Sequence, residues 1–217
     1  MKFFYYIIFI FLSILFLTKC IRETFNDPNY KVKQLKNFLD KKEICAILNN
    51  CNNFYDSRTV ATYGNKVNDY RTSTTCSIDR RSIAHKIIAD KINSLGFNPL
   101  NLETLQLTKY TEGQYFKEHF DYFNEHNIAE KGHISSNGQR LYTLFVYLKS
   151  PEEGGETYFS NLKQTFKPNE GDALLWENCK KTSTGYKYNK ESKHSGLPVT
   201  KGYKIGMNIW ITDKEKE

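Results

Sequence analysis

From Leu105 onward the chain breaks into short aromatic and β-branched runs separated by turn residues, and that rhythm limits what it can fold into. LYTLFVYL (141–148), ETYF (156–159), ALLW (173–176) and IGMNIWI (205–211) have the length and composition of strands, with Gly154-Gly155, PNEG (168–171) and TKG (200–202) as turns between them. Helical patterns come earlier. Asp40 followed by Glu43 forms a capping box ahead of Ile44, Ile47 and Leu48, which predicts a helix over 41–50. After Ser77, Ile83, Ala84, Ile87, Ile88 and Ile92 recur at helical spacing. Two helices followed by seven or eight strands predict an α+β fold in which a barrel or sandwich is backed by helices. The polar stretches 124–139 and 180–193 are too long for hairpin turns and are expected to be mobile loops. With 217 residues, 39% hydrophobic and 15% aromatic, the chain can bury a substantial core, and from about residue 30 it reads as one unit without internal repeats.

The first twenty residues are of another kind. Residues 3–17 are apolar except for Ser13, with Lys2 before them and Lys19 and Arg22 after. As a helix the run would span roughly 22 Å, less than the ~27 Å of a thin bilayer core. It reads as a signal peptide or a short signal anchor, with cleavage and membrane anchoring both open, followed by a linker over 21–36. Five cysteines (Cys20, Cys45, Cys51, Cys76, Cys179) suit a secretory chain. Without Cys20 the other four permit three pairings, and free buried thiols are equally compatible with the sequence. The formal charge of +7 would suit an acidic partner, but the lysines are scattered and form no basic block, which argues against nucleic acid.

Within YTEGQYFKEHFDYF (110–123), His119 and Asp121 are two apart, so an extended backbone would project both to one face and Phe120 to the other. Of the remaining histidines, His85 falls on the second helix and His126 and His133 fall in the first polar stretch. Only His194 immediately precedes a strand pattern. Two imidazoles and one carboxylate on one face of a metal leave three positions open, an arrangement suited to non-haem Fe(II) working with O2. Lys204, ten residues after His194 and across a turn, has no acidic residue near it in sequence, so an ammonium in that cavity would need an anionic ligand such as a carboxylate.

FLDKKE, DYRTS, LQLTKYTEGQYFKEHFDYF, GQRLYTLFVYLKSPEEGGETYF, PNEGDALLW and HSGLPVTKGYKIGMNIW occur in an order and spacing that resemble the Fe(II)- and 2-oxoglutarate-dependent prolyl 4-hydroxylases of the collagen and plant cell-wall type. The resemblance implies a double-stranded β-helix (jelly-roll) barrel buttressed by N-terminal helices, with a dioxygenase domain over 37–213. It implies iron ligation by His119, Asp121 and His194, and an ion pair from Lys204 to the far carboxylate of 2-oxoglutarate. Tyr110 and Thr143 match positions lining the cosubstrate pocket. Arg71, Arg140 and Trp210 match positions near the substrate groove; Tyr115 and Tyr122 read as packing or pocket walls and are groove candidates, while Trp176 reads as core. O2 as cosubstrate, ascorbate as the rescuing reductant, a proline-containing peptide substrate and residence in the endoplasmic reticulum lumen or membrane follow from the same likeness. Two departures bear on peptide preference: Leu197 stands where the family usually has Cys, and Ile205, beside Lys204, where it usually has Trp. An oxygenase acting on another protein side chain or on nucleic acid, and a non-catalytic binding barrel, are the alternatives. The nucleic-acid group characteristically uses arginine to hold 2-oxoglutarate, and a binding barrel would be expected to lose a ligand.

Overall fold

The computed structural model describes residues 31–57 and 70–216. The apolar leader and Cys20 lie outside them. In chain order the elements are β1 (Val32–Leu35), α1 (Lys41–Leu48), β2 (Tyr55–Asp56), β3 (Thr74–Ser77), α2 (Ile83–Ser94), β4 (Gln106–Thr111), β5 (Phe116–His119), α3 (Ile128–Asn137) and β6 (Arg140–Lys149). They continue with β7 (Glu153–Gly154), β8 (Thr157–Phe159), β9 (Gln164–Phe166), β10 (Ala173–Glu177), β11 (Cys179–Thr182), β12 (Gly185–Tyr188), β13 (His194–Gly196), β14 (Val199–Lys201) and β15 (Tyr203–Thr212). A seven-stranded sheet runs β1-β10-β6-β15-β4-β3-β2, a four-stranded sheet runs β5-β13-β8-β9, and β11-β12 and β14-β7 form two small pairs.

Period-two alternation gives the large sheet two apolar faces. Leu144, Val146 and Leu148 of β6, Leu175 of β10, and Ile205, Met207, Ile209 and Ile211 of β15 share one core with Ile44 and Ile47 of α1 and Ala84, Ile88 and Ile92 of α2. On the other face Phe145, Tyr147, Leu174 and Trp176 meet Phe159 of the small sheet. The expected α+β arrangement with N-terminal helices is present. Among the described residues, strand pairing gives two facing antiparallel sheets rather than one continuous ring.

The first helix carries its capping box in full: Glu43 N donates to Asp40 Oδ1 at 2.8 Å and Asp40 N donates to Glu43 Oε2 at 2.9 Å. Three expectations need correction. Val32–Leu35, in the stretch read as linker, form an edge strand against β10. The stretch 124–139 holds α3, capped by the Asn127 side chain, and 180–193 holds most of the β11-β12 hairpin and a 3₁₀ turn at Lys190–Ser192. The reason is the same in both: α3 buries no residue, Ile128 is 92% exposed, and the hairpin's lysines and threonines carry no apolar alternation. Of the four cysteines after Cys20, Cys51 and Cys76 form a disulfide that ties the end of α1 to β3, while Cys45 (exposed) and Cys179 (buried) remain free thiols, so none of the three two-bridge connectivities forms. No helix of the described residues is long and apolar enough to cross a membrane.

Candidate active site

His194 opens β13 and lies directly opposite His119, the last residue of β5. Asp121 is two residues past His119, beyond the strand end, so its placement comes from the chain's exit from β5 rather than from alternation within it. Gln139 fixes that exit, accepting from Phe123 N at 2.9 Å and donating to Phe123 O at 2.7 Å. The ligand atoms of His119, Asp121 and His194 all lie within 4.8 Å of one another.

Each imidazole is oriented by its own strand. His119 Nδ1 and His194 Nδ1 each lie 2.8 Å from a carbonyl oxygen, of Lys117 and Ser192 respectively. A carbonyl can only accept, so both Nδ1 atoms carry the proton and both Nε2 lone pairs are free to bind metal. His119 Nε2 is 3.6 Å from Asp121 Oδ1 and His194 Nε2 is 3.9 Å from Oδ2. Burial among Phe159, Trp176 and its neighbours, with His119 adding to the effect, pulls the His194 imidazole down to about 4, so it is neutral at physiological pH. Burial pushes the Asp121 carboxyl up, but His194, His119 and Arg140 together outweigh it and hold it well below the usual carboxylate range.

Behind Asp121 runs a short relay. Asn178 Nδ2 donates to Thr143 Oγ1 at 2.8 Å, and Thr143 Oγ1 donates to Asp121 Oδ2 at 2.8 Å. Thr143, expected to line the cosubstrate pocket, is fully buried with its hydroxyl on the metal-facing carboxylate. A neutral His194, His119 with its Nδ1 on a carbonyl, and a 7%-exposed Asp121 carboxylate held by the Thr143 hydroxyl make a donor set that fits a divalent cation, and three-ligand N2O sites with open positions suit Fe(II).

The cavity next to the triad is lined on β15 by Lys204, Asn208 and Trp210, on β4 by Tyr110, and on β6 by Phe145. Lys204 is 3% exposed and directly opposite Tyr110. Its Nζ donates to Gly155 O at 2.7 Å and faces the rings of Tyr147 (4.6 Å) and Phe145 (4.9 Å). Gly154 and Gly155 both have positive φ (74° and 70°), and this turn presents the carbonyl to the lysine. Among the described residues no carboxylate pairs with Lys204; Glu156 pairs outward with Lys167. Burial therefore pulls the Lys204 ammonium down to about 7. A desolvated ammonium at the end of a cavity that begins at a metal triad fits a ligand with an anionic tail.

The remaining sequence candidates fall around the mouth. Trp210 lines the cavity, and its buried indole N–H finds no hydrogen-bond partner among the described residues. Arg140 lies over the Trp210 ring at 3.5 Å and holds Glu103 through Nε (2.9 Å) and Nη2 (2.7 Å), so it buttresses that wall from behind. Arg71 is 6% exposed, bonded to Ser73 and Gln106 and set over Phe116, and does not line the cavity. Tyr115 is half-buried and its backbone is tied to Thr72, away from the cavity lining. Ile205 points into the helix-side core, so it does not share the space of Lys204. Trp176, read as core, is also a cavity wall against His194. Thr157, Asn208, Asn178 and the Gly155 carbonyl went unrecognised; counting in twos from Lys204 along β15 would have found Asn208.

The 2OG-Fe(II) oxygenase superfamily model matches residues 105–212. A putative prolyl 4-hydroxylase of Acanthamoeba polyphaga mimivirus is 37% identical over 115 residues, covering 53% of this chain and 47% of the relative. "Probable prolyl 4-hydroxylase 3" of Arabidopsis thaliana is 30% identical over 199 residues, 81% of this chain and 67% of the relative. The alignment thus spans about half the viral relative, and only 20% of the Caenorhabditis elegans prolyl 4-hydroxylase subunit alpha-1. The crystal structure of the viral collagen prolyl hydroxylase from Paramecium Bursaria Chlorella virus-1, as its 2OG complex, superposes with a TM-score of 0.62 at 29% identity, over 84% of this chain and 96% of that one. With its triad complete, the chain belongs to the 2-oxoglutarate/Fe(II) oxygenases and is closely related to the prolyl 4-hydroxylases.

Proposed function

We propose that this protein is an Fe(II)- and 2-oxoglutarate-dependent dioxygenase that hydroxylates peptidyl proline at C4, its two facing sheets forming the family's double-stranded β-helix. The observation that carries the reading is the pairing of a complete His119–Asp121–His194 triad with a buried Lys204 that, among the described residues, meets a carbonyl and no carboxylate, in one cavity. Fe(II) held by the triad, with 2-oxoglutarate and O2, supplies the oxidising chemistry: one oxygen atom ends in succinate, which leaves with CO2, and the other replaces a proline hydrogen as hydroxyl. The chain's own work is positional. His119 and His194 present Nε2, and Asp121 is fixed by Thr143. Lys204 takes the far carboxylate of the diacid, opposite Tyr110. Phe116, Phe145, Trp176 and Trp210 exclude water from the cavity, and Arg140 keeps the Trp210 wall in place at the substrate end.

The names of the relatives support peptidyl proline as substrate. Ascorbate as the reductant that rescues uncoupled turnover belongs to the same reading. The apolar leader and the Cys51–Cys76 disulfide support a place in the secretory pathway, with the catalytic domain in the endoplasmic reticulum lumen and the leader as anchor if it is retained. The test is a panel of collagen-like and proline-rich peptides scored by mass for the gain of one oxygen atom. The gain should require both Fe(II) and 2-oxoglutarate; a panel left unmodified while 2-oxoglutarate is consumed on another protein side chain would redirect the substrate assignment.

A further inference from the structure

Between Lys204 and Asn208 on the cavity face of β15 stands Gly206, where alternation calls for a third side chain. Its φ is not in the positive range, so nothing in the backbone requires glycine there. A glycine inside a strand marks either a bulge or a close approach, and here it is an approach. A Cβ built on Gly206 would overlap Phe145 Cζ and lie 2.7 Å from Cε2 and 3.0 Å from Cε1. The Phe145 ring, crossing from the neighbouring strand β6, occupies the notch that the missing side chain leaves. Tyr147 holds the ring edge-on, with centroids 5.1 Å apart. From the notch the ring faces both the cavity and the Lys204 ammonium, 4.9 Å from its centroid.

Resting on the cosubstrate role given to Lys204, we infer that Phe145 and Gly206 form a size-matched pair that shapes the 2-oxo-acid chamber and sets its selectivity for an unbranched diacid chain. With the far carboxylate on Lys204, the first methylene of the ligand, C4, passes over the Phe145 ring. The glycine lets that ring lie low enough for the chain to pass, and the ring leaves no room for a branch at C4. Among the described residues neither one stacks on or hydrogen-bonds His119, Asp121 or His194, so metal affinity should be independent of the pair. In this chain that volume is divided as a large ring against no side chain at all.

The experiment is calorimetric titration of Mn(II)-loaded wild type, Gly206→Ala, Phe145→Leu and the double variant with 2-oxoglutarate and its 4-methyl derivative. Gly206→Ala should push the ring into the chamber and weaken 2-oxoglutarate binding about tenfold or more, while Mn(II) affinity stays at the wild-type value. Adding Phe145→Leu should bring binding back to within about threefold of wild type, as contacting residues couple. Phe145→Leu alone keeps a folded core and should shift preference toward the 4-methyl derivative by about tenfold, the effect of one methylene-sized change in a pocket. Wild-type affinity in Gly206→Ala, or unchanged discrimination in Phe145→Leu, would overturn the inference while leaving Lys204 as anchor. A wild type that binds Mn(II) but no 2-oxoglutarate would overturn the cosubstrate reading itself, and this inference with it.

Discussion

His119 and His194 face one another across the β5–β13 pairing, with ring centroids 4.3 Å apart. The metal site is therefore a property of strand register: a slip of one residue in β13 would turn one imidazole to the opposite face and dismantle the site without moving the large sheet. The small sheet is accordingly held from several sides. Phe116 stacks on the His119 ring at 3.6 Å, and Phe159 and Trp176 enclose His194.

Lys204 is the residue on which the cosubstrate assignment turns. Leaving a buried charge without its partner costs about 3 to 5 kcal/mol. Lys204→Ala should therefore weaken 2-oxoglutarate binding by roughly two to three and a half orders of magnitude, with metal affinity nearly unchanged. Lys204→Arg should recover part of the loss, because a planar fork replaces a compact ammonium. Ligand titration of the metal-loaded variants measures all three; a loss of less than about threefold in Lys204→Ala, below ~1 kcal/mol, would remove the lysine as anchor.

The same burial makes stability depend on pH. An unfolded lysine titrates near 10.4, and folding lowers Lys204 to about 7. Below pH 7 the folded protein carries the full cost of a buried charge. As pH rises from about 7 toward 10.4 the folded state loses that proton before the unfolded state does, so this contribution to stability increases with pH, with a slope of up to ~1.4 kcal/mol per pH unit. Lys204→Met should accordingly stabilise the ligand-free protein more at pH 6.5 than at pH 9, as read by urea unfolding. An equal effect at both pH values would mean that Lys204 is not desolvated.

Thr143 acts through Asp121. Thr143→Val keeps the shape but removes the hydrogen bond to Oδ2, and should lower metal affinity by about ten- to a hundredfold. Thr143→Ser should restore it. Metal titrations with Mn(II) distinguish this from a packing role, in which valine would bind metal as well as threonine does.

The Cys51–Cys76 bond closes a separation of 25 residues, and by chain entropy its loss should cost ~3.5 kcal/mol. Paired Cys51→Ser and Cys76→Ser should lower the urea midpoint accordingly, and reductant should do the same to wild type. Burial pushes the Cys179 thiol up to about 12, so in the native protein Cys45 should alkylate and Cys179 should not.

Much of this was legible in the sequence because alternation and helical spacing report burial directly. LYTLFVYL and IGMNIWI have two apolar faces because the sheet they build is covered on both sides. The triad was legible from residue type and order, although Asp121 reaches it from beyond the strand rather than from within it. What stayed hidden depends on register and on backbone. No spacing reveals that Thr143 would back Asp121, that Gly155 would offer its carbonyl to Lys204, or that Phe145 would fill the space over Gly206. The helix α3 stayed hidden because a helix that buries nothing has no apolar stripe to read.

The central claim, that one cavity binds Fe(II) through His119, Asp121 and His194 and 2-oxoglutarate through Lys204, is tested most directly by anaerobic absorption spectroscopy. Adding 2-oxoglutarate to the Fe(II)-loaded wild type should raise a metal-to-ligand charge-transfer band, which should be absent in His194→Ala and should need far more 2-oxoglutarate in Lys204→Ala. A wild type that binds Fe(II) but develops no band at saturating 2-oxoglutarate, or a His194→Ala variant that develops the wild-type band, would contradict the account.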